Sequence, residues 1–259
     1  MAKGATAVYL YCVVRAARKP ALARVPRGLP DAARPGAYRL SSALWLIAAE
    51  VPLDRYDSAH LEPRLRDLQW VSDIALAHEA VVEHFARAKG TIVVPMKLFT
   101  MFSSMEKAAA DVAAGRTAIE RAMRRIAGCE EWGVRITRRP GAAVPSGAAR
   151  PASGAAFLAA KKAVRDVAAN VRAASLAAAD TAFGRLRRMA RAAHQRPRRQ
   201  EPGSNPPILE AAFLVTTGAR ARFTAEAKRQ SALCARAGAD LTLTGPWPAY
   251  NFIESEADA

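Results

Sequence analysis

Hydrophobic and polar positions follow two different rhythms along this chain. The run AVYLYCVVR, residues 7–15, is almost unbroken in β-branched and aromatic types, as in a strand buried on both faces. Residues 18–36, rich in Pro, Gly and Arg, predict a loop, and YRLSSALWLIAA, 38–49, predicts one or two more strands. From 59 to 88 the rhythm changes. Leu61, Leu65, Leu68, Ala75, Val82 and Phe85 recur at three- and four-residue steps, with two gaps of seven. That spacing predicts one amphipathic helix, capped by Asp57 or Ser58 and ended by Gly90. TIVVPMKLFTMF, 91–102, returns to a strand pattern. Pro95 has no N–H to give to a ladder, so this strand is expected at a sheet edge or at a bulge. Ser103 or Ser104 then caps a helix over 105–114, a second helix covers 116–127, and EEWGVRITR, 130–138, is a further strand.

The second half begins with RPGAAVPSGAARPASG, 139–154, which holds almost no large apolar residue and reads as a linker. Residues 154–196 have helical composition, with a stripe of mostly small residues from Phe157 to Met189. EPGSNPP, 201–207, breaks the chain. A strand over 208–217, a helix over 221–238 ended by Gly238, and a last strand starting at ADLTLTGPW complete the pattern. Nothing repeats at a fixed period. Interleaved strands and helices in two halves predict an α+β or α/β protein. The expected organisation is a domain over 1–139, a linker over 140–153 and a domain over 154–259.

Composition narrows this picture. Alanine carries much of the 51% hydrophobic content and aromatics are only 7%, so helix contacts should be close and thin rather than bulky. The formal net charge is +16, and between 157 and 199 eleven Lys/Arg stand against two Asp. Arg185, Arg187, Arg188 and Arg191 crowd the end of the long helix, where cations also suit the helix dipole. Such a surface offers contacts to an acidic partner; its alternative use is nucleic-acid binding, although aromatics for base stacking are almost absent there. Three scattered cysteines, Cys12, Cys129 and Cys234, have no metal-like spacing and fit a reducing cytosol. The N-terminal apolar run is too short for a signal peptide, and no run reaches the length of a membrane span.

Candidate chemistry is thin. HEAVVEH, 78–84, places His78 and His84 six residues apart, about 240° around a helix, so they do not ligate one ion from a regular helix. Glu79 and Glu83 share a face, which is the spacing of a solvated helix surface as well as of an acid–base pair. No nucleophile elbow, P-loop or dinucleotide fingerprint occurs. These residues point to no catalytic, cofactor or metal site.

One stretch carries a resemblance. GPWPAYNF, 245–252, closely resembles the GPWPPYxF signature of the gas vesicle protein GvpL/GvpF family. Other pieces follow in the family's order: YLYCVV resembles its YxYxVV opening, and ALAHEAVVEHF, with His78 and Glu79, its AxxHExVV helix. PMKLFTMF, with Pro95, Lys97 and Phe99, resembles its PxRFGTxF strand, and EEWGV, with Glu131, Trp132 and Gly133, its xEWGVK strand. GAAFLAAKKA resembles the family's GxxYL helix start, so the resemblance spans roughly residues 7–253. The arginine and glycine of the PxRFGTxF pattern are read as replaced by Lys97 and Leu98, and the last proline of GPWPP is Ala249.

The resemblance implies an accessory or minor structural protein of gas vesicles, the gas-filled, protein-walled cytoplasmic compartments that give buoyancy. It implies assembly contacts with the major shell protein and other accessory vesicle proteins, no enzymatic activity and no cofactor. The implied fold is two α+β domains, the N-terminal one mixed α/β, the C-terminal one a modified ferredoxin-like unit with the long alanine-rich helix. Gly245, Pro246, Trp247, Pro248, Tyr250, Asn251 and Phe252 are expected as structural or partner-contact residues, with Trp247 and Phe252 pinning the last strand to the long helix. A strand edge near Pro95 is a further place for a partner strand.

Overall fold

The computed structural model describes residues 5–139, 153–197 and 206–253. They form two compact units, one of residues up to Gly128 together with those from Trp247 onward, the other of Cys129–Pro246. The expected division at 139–154 differs from this. The strand expected over 130–138 pairs with strands of the second unit, and the last residues return to the first. Of the expected linker, only Ser153 falls among the described residues.

In the first unit, β1 (Thr6–Arg15), β2 (Gly36–Arg39), β3 (Leu44–Pro52) and β4 (Ile92–Pro95) form a sheet in the order β2-β3-β1-β4, and β5 (Met101–Phe102) also pairs with β1. β1 is buried along nearly its whole length, as its unbroken apolar run requires. A bulge between Leu10 and Cys12 shifts its register against β3. The extra residue flips the side-chain phase: Ala7, Tyr9 and Tyr11 enter one core before it, and Cys12, Val14 and Ala16 enter the same core after it.

The helix expected over 59–88 is divided. After α1 (Leu53–Tyr56), α2 (Ser58–Arg64) starts on an Asp57 cap, and α3 (Leu68–Ala86) starts afresh at Asp67. The Asp67 carboxylate accepts from Gln69 N–H at 3.0 Å and Trp70 N–H at 3.2 Å. This local cap competes with a continuous helix and resets the phase. Leu65 and Leu68 therefore face solvent, Leu68 being 82% exposed, while Ile74, His78, Val81, Val82 and Phe85 face the core.

α4 (Met105–Ala114), capped by Ser104, and α5 (Arg116–Ile126) close the unit. Pro95 ends β4, which is an edge strand, but Val93, Val94 and Pro95 are buried with α3 and α5 packed near them.

The second unit runs β6 (Cys129–Arg138), α6 (Gly154–Arg187), β7 (Ala192–Gln195), β8 (Leu209–Thr216), α7 (Arg220–Arg236) and β9 (Ala239–Trp247). This βαββαβ order with the sheet order β7-β8-β6-β9 is the ferredoxin-like split βαβ arrangement. Trp132, Val134, Ile136, Phe213 and Val215 alternate onto the helix-bearing face and pack with Ala179, Ala182, Leu186 and Phe223. The long helix ends at Arg187, and AAHQ forms β7 only because it pairs with Leu214–Ala211 of β8. Its four residues carry no alternating apolar signal.

Candidate functional site

The quoted motifs gather into two clusters, one in each unit. In the first, β1 brings Tyr9 beside His78 of α3. Tyr9 Oη and His78 Nδ1 share a hydrogen bond of 2.7 Å, and Tyr9 Oη accepts from Phe99 N–H at 3.3 Å. Burial keeps the ring neutral, lowering the His78 pKa to about 4 against a smaller upward pull from the Met96 backbone. Tyr11, tilted against His78 with ring centres 5.6 Å apart, accepts from Leu29 N–H at 3.0 Å. The Tyr250 ring lies 6.4 Å from His78. Burial first, then the neighbouring Glu79 carboxylate, hold its phenol protonated.

The turn after Pro95 belongs to this cluster. Lys97 is exposed, and its carbonyl accepts from Thr100 Oγ1 at 2.7 Å. Phe99 has φ 63, the left-handed region that bulky residues rarely enter. Counted from Pro95, the family's glycine falls on Phe99, which corrects the assignment to Leu98. The Phe99 ring stacks on Trp70 at 6.0 Å, so packing stands here where glycine would relieve strain.

In the second unit, Glu131-Trp132-Gly133 of β6 lie against the end of β9. Gly245 has φ 121, and a Cβ there would sit 2.8 Å from the Glu131 carbonyl oxygen and 3.2 Å from the Trp132 ring. A Cβ on Gly133 would sit 2.6 Å from Thr244 Oγ1. Each glycine stands where the opposite strand leaves no room for a side chain. Glu131 and Trp132 are buried, the Trp132 ring 6.2 Å from Phe223.

GPWPAYNF therefore passes from one unit to the other. Gly245 and Pro246, joined by a cis peptide bond, finish the second unit, and Pro248, Asn251 and Phe252 lie in the first, with Pro248 and Phe252 buried. The Phe252 carbonyl accepts from Arg125 of α5 at 3.3 Å, and Tyr250 packs on the first core. Trp247 is 42% exposed and is not a core peg. Sequence reasoning missed Tyr9 and Tyr11 as the partners of His78; the tyrosines spaced two apart in YLY were the available signal, hidden by the bulge.

Arg185, Arg187 and Arg188 end α6 and Arg191 precedes β7, all exposed; Arg198 and Arg199 lie outside the described residues. Burial raises the pKa of Cys12, Cys129 and Cys234, so no thiol is set up as a nucleophile. Among the described residues no group of His, Cys, Asp and Glu is arranged to hold a metal ion, and no helix is long and apolar enough to cross a membrane.

Fold and clusters define a class: a two-unit α+β protein whose signature side chains are largely occupied in packing. Residues 7–254 match the family described as gas vesicle synthesis protein GvpL/GvpF. A curated relative, gas vesicle protein L from Streptomyces sp., is 31% identical over 220 residues, 80% of this chain and 78% of the relative. The crystal structure of GvpF from Anabaena sp. is similar with a TM-score of 0.68 at 14% identity, covering 97% of each chain. GvpF from Microcystis aeruginosa is similar with a TM-score of 0.64 at 13% identity, covering 96% of this chain and 99% of that one. At such identities the structures speak for the fold alone. The chain belongs to the GvpL/GvpF family, whose role is in gas vesicle formation.

Proposed function

We propose that this chain is a non-catalytic, protein-binding component of gas vesicle assembly that works in the cytoplasm and contacts the major shell protein or other accessory vesicle proteins. The observation that carries this reading is the family match over residues 7–254. The chemistry of the conspicuous residues agrees with it. His78, the natural general base of the HE motif, is buried, neutral and already bonded to Tyr9. The high net charge of +16 suits a factor that must stay dispersed beside a polymerising partner. Arg185, Arg187, Arg188 and Arg191 supply guanidinium groups for a partner's carboxylates, and half-exposed Trp247 offers an aromatic anchor.

Tagged chain purified from vesicle-forming cells tests the reading. Co-purification of the major shell protein or an accessory vesicle protein is expected. Capture of none, at any salt concentration, overturns it. A shift of duplex DNA that weakens steeply with salt would favour the nucleic-acid alternative instead.

A further inference from the structure

Helix α6 is longer than its unit needs. Ser175, Ala179, Ala182 and Leu186 are buried, whereas Gly154–Ala174 are exposed or at most half-buried. This overhang is about 21 residues, or about 31 Å of helix. At about 100° per residue, Phe157, Val164, Ala168 and Val171 lie on the line that the buried residues continue. An apolar stripe thus starts in solvent and runs into the core. Phe157 is 54% exposed, a cost that a free surface helix normally avoids.

The borders of the stripe differ. Lys161, Arg165 and Arg172 stand along one side, whereas Ala156, Ala160 and Val167 form the other. Asp166, the sole carboxylate between 154 and 174, is on the far side from the stripe. The surface therefore has a smooth wall, an apolar floor and a basic rail.

We infer that the overhang of α6 is a docking face for an acidic amphipathic helix of a partner protein, which lays its apolar side on Phe157, Val164 and Val171 and its carboxylates on the rail. Charge decides the occupant. A second copy of this chain would set rail against rail when antiparallel, or rail against the smooth wall when parallel, with only the distant Asp166 to answer it either way. A lipid-surface helix carries a broad bulky apolar face bordered by cations on both sides; here the stripe holds one Phe among Val and Ala, and the cations keep to one border. A helix with Leu or Ile knobs fits over small side chains, and a one-sided rail fixes its direction. This rests on the protein-binding reading above but can fail alone, because co-purification tests that reading and a defined probe tests this one.

The experiment uses the full chain and a fluorescent helical peptide of about 21 residues with a Leu stripe and Glu on one border, read by anisotropy at low salt. The expected result is saturable binding that weakens about tenfold or more in Phe157→Asp/Val164→Asp. Lys161→Glu/Arg165→Glu is expected to lose the Glu probe and gain the same peptide carrying Lys in place of Glu. Circular dichroism melts of these variants should overlay on wild type, since the changed side chains face solvent. Absence of binding to the Glu probe, or equal binding to Phe157→Asp/Val164→Asp, overturns the inference. So does a dimer in sedimentation that these substitutions abolish, or a preference for vesicles of anionic lipid over the peptide.

Discussion

The two signature clusters reach the same end by opposite means. The first unit buries polar side chains and ties them to one another: Tyr9 is hydrogen-bonded to His78, and Phe99 N–H donates to Tyr9. The second removes side chains altogether, so that β6 and β9 approach through Gly133 and Gly245. A buried hydrogen-bonded group is costly when its partner goes, whereas a close approach is costly when anything is added. Most motif residues are spent inside the units. What faces solvent, and what the proposed partner would meet, is the arginines at the end of α6, its overhanging face, and Trp247.

The largest effect should come from adding one methyl group at the close approach. Gly245→Ala forces a side chain into a glycine-only conformation and onto the Glu131 carbonyl, a loss of about 3–5 kcal/mol in denaturant unfolding. A wild-type midpoint would break the second half of the comparison. Next is His78→Ala, which opens a cavity and strips Tyr9 of its hydrogen-bond partner, costing about 2–4 kcal/mol by the same measurement.

His78 also gives the first unit a pH signature. Its folded pKa of about 4 lies below the unfolded value, so between about 6.5 and 4 the unfolded chain binds the proton. The stability tied to the neutral ring is present above pH 6.5 and lost as pH falls through that window. In His78→Gln the stability curve should be flatter between pH 4.5 and 6.5 than in wild type; parallel curves would show that the ring is not what titrates. Smaller again is Phe99→Gly. Relief of the left-handed backbone offsets part of the lost stacking on Trp70, leaving a net loss of about 1 kcal/mol. Smallest is Trp247→Ala, under about 1 kcal/mol for a ring 42% exposed, with melting temperature as the readout. A drop of many degrees would return Trp247 to the core.

Much of this was legible in the sequence, and the failures share a cause. Long periodic runs such as AVYLYCVVR and residues 105–126 gave their elements directly, because burial alone dictates their pattern. The break at Asp67 was not legible, since a cap and a helix-interior Asp look alike until the neighbouring leucines are seen to face water. β7 was invisible because only its pairing with β8 makes AAHQ a strand. The boundary between units was misplaced because β6 follows the first unit in sequence but hydrogen-bonds in the second. Within the clusters, the motifs could be recognised one by one. Their convergence depends on a bulge in β1 and on the return of Tyr250 to the first core, which spacing does not encode.

The central claim is that the motifs build the units and the outer surface binds. Complementation of a vesicle-forming strain that lacks this chain tests it most directly, with vesicles counted by electron microscopy and chain abundance checked in each strain. The account predicts that Phe99→Gly restores vesicles while Arg185→Glu/Arg187→Glu/Arg188→Glu, equally abundant, does not. Restoration by the arginine variant together with failure of a folded Phe99→Gly would contradict it.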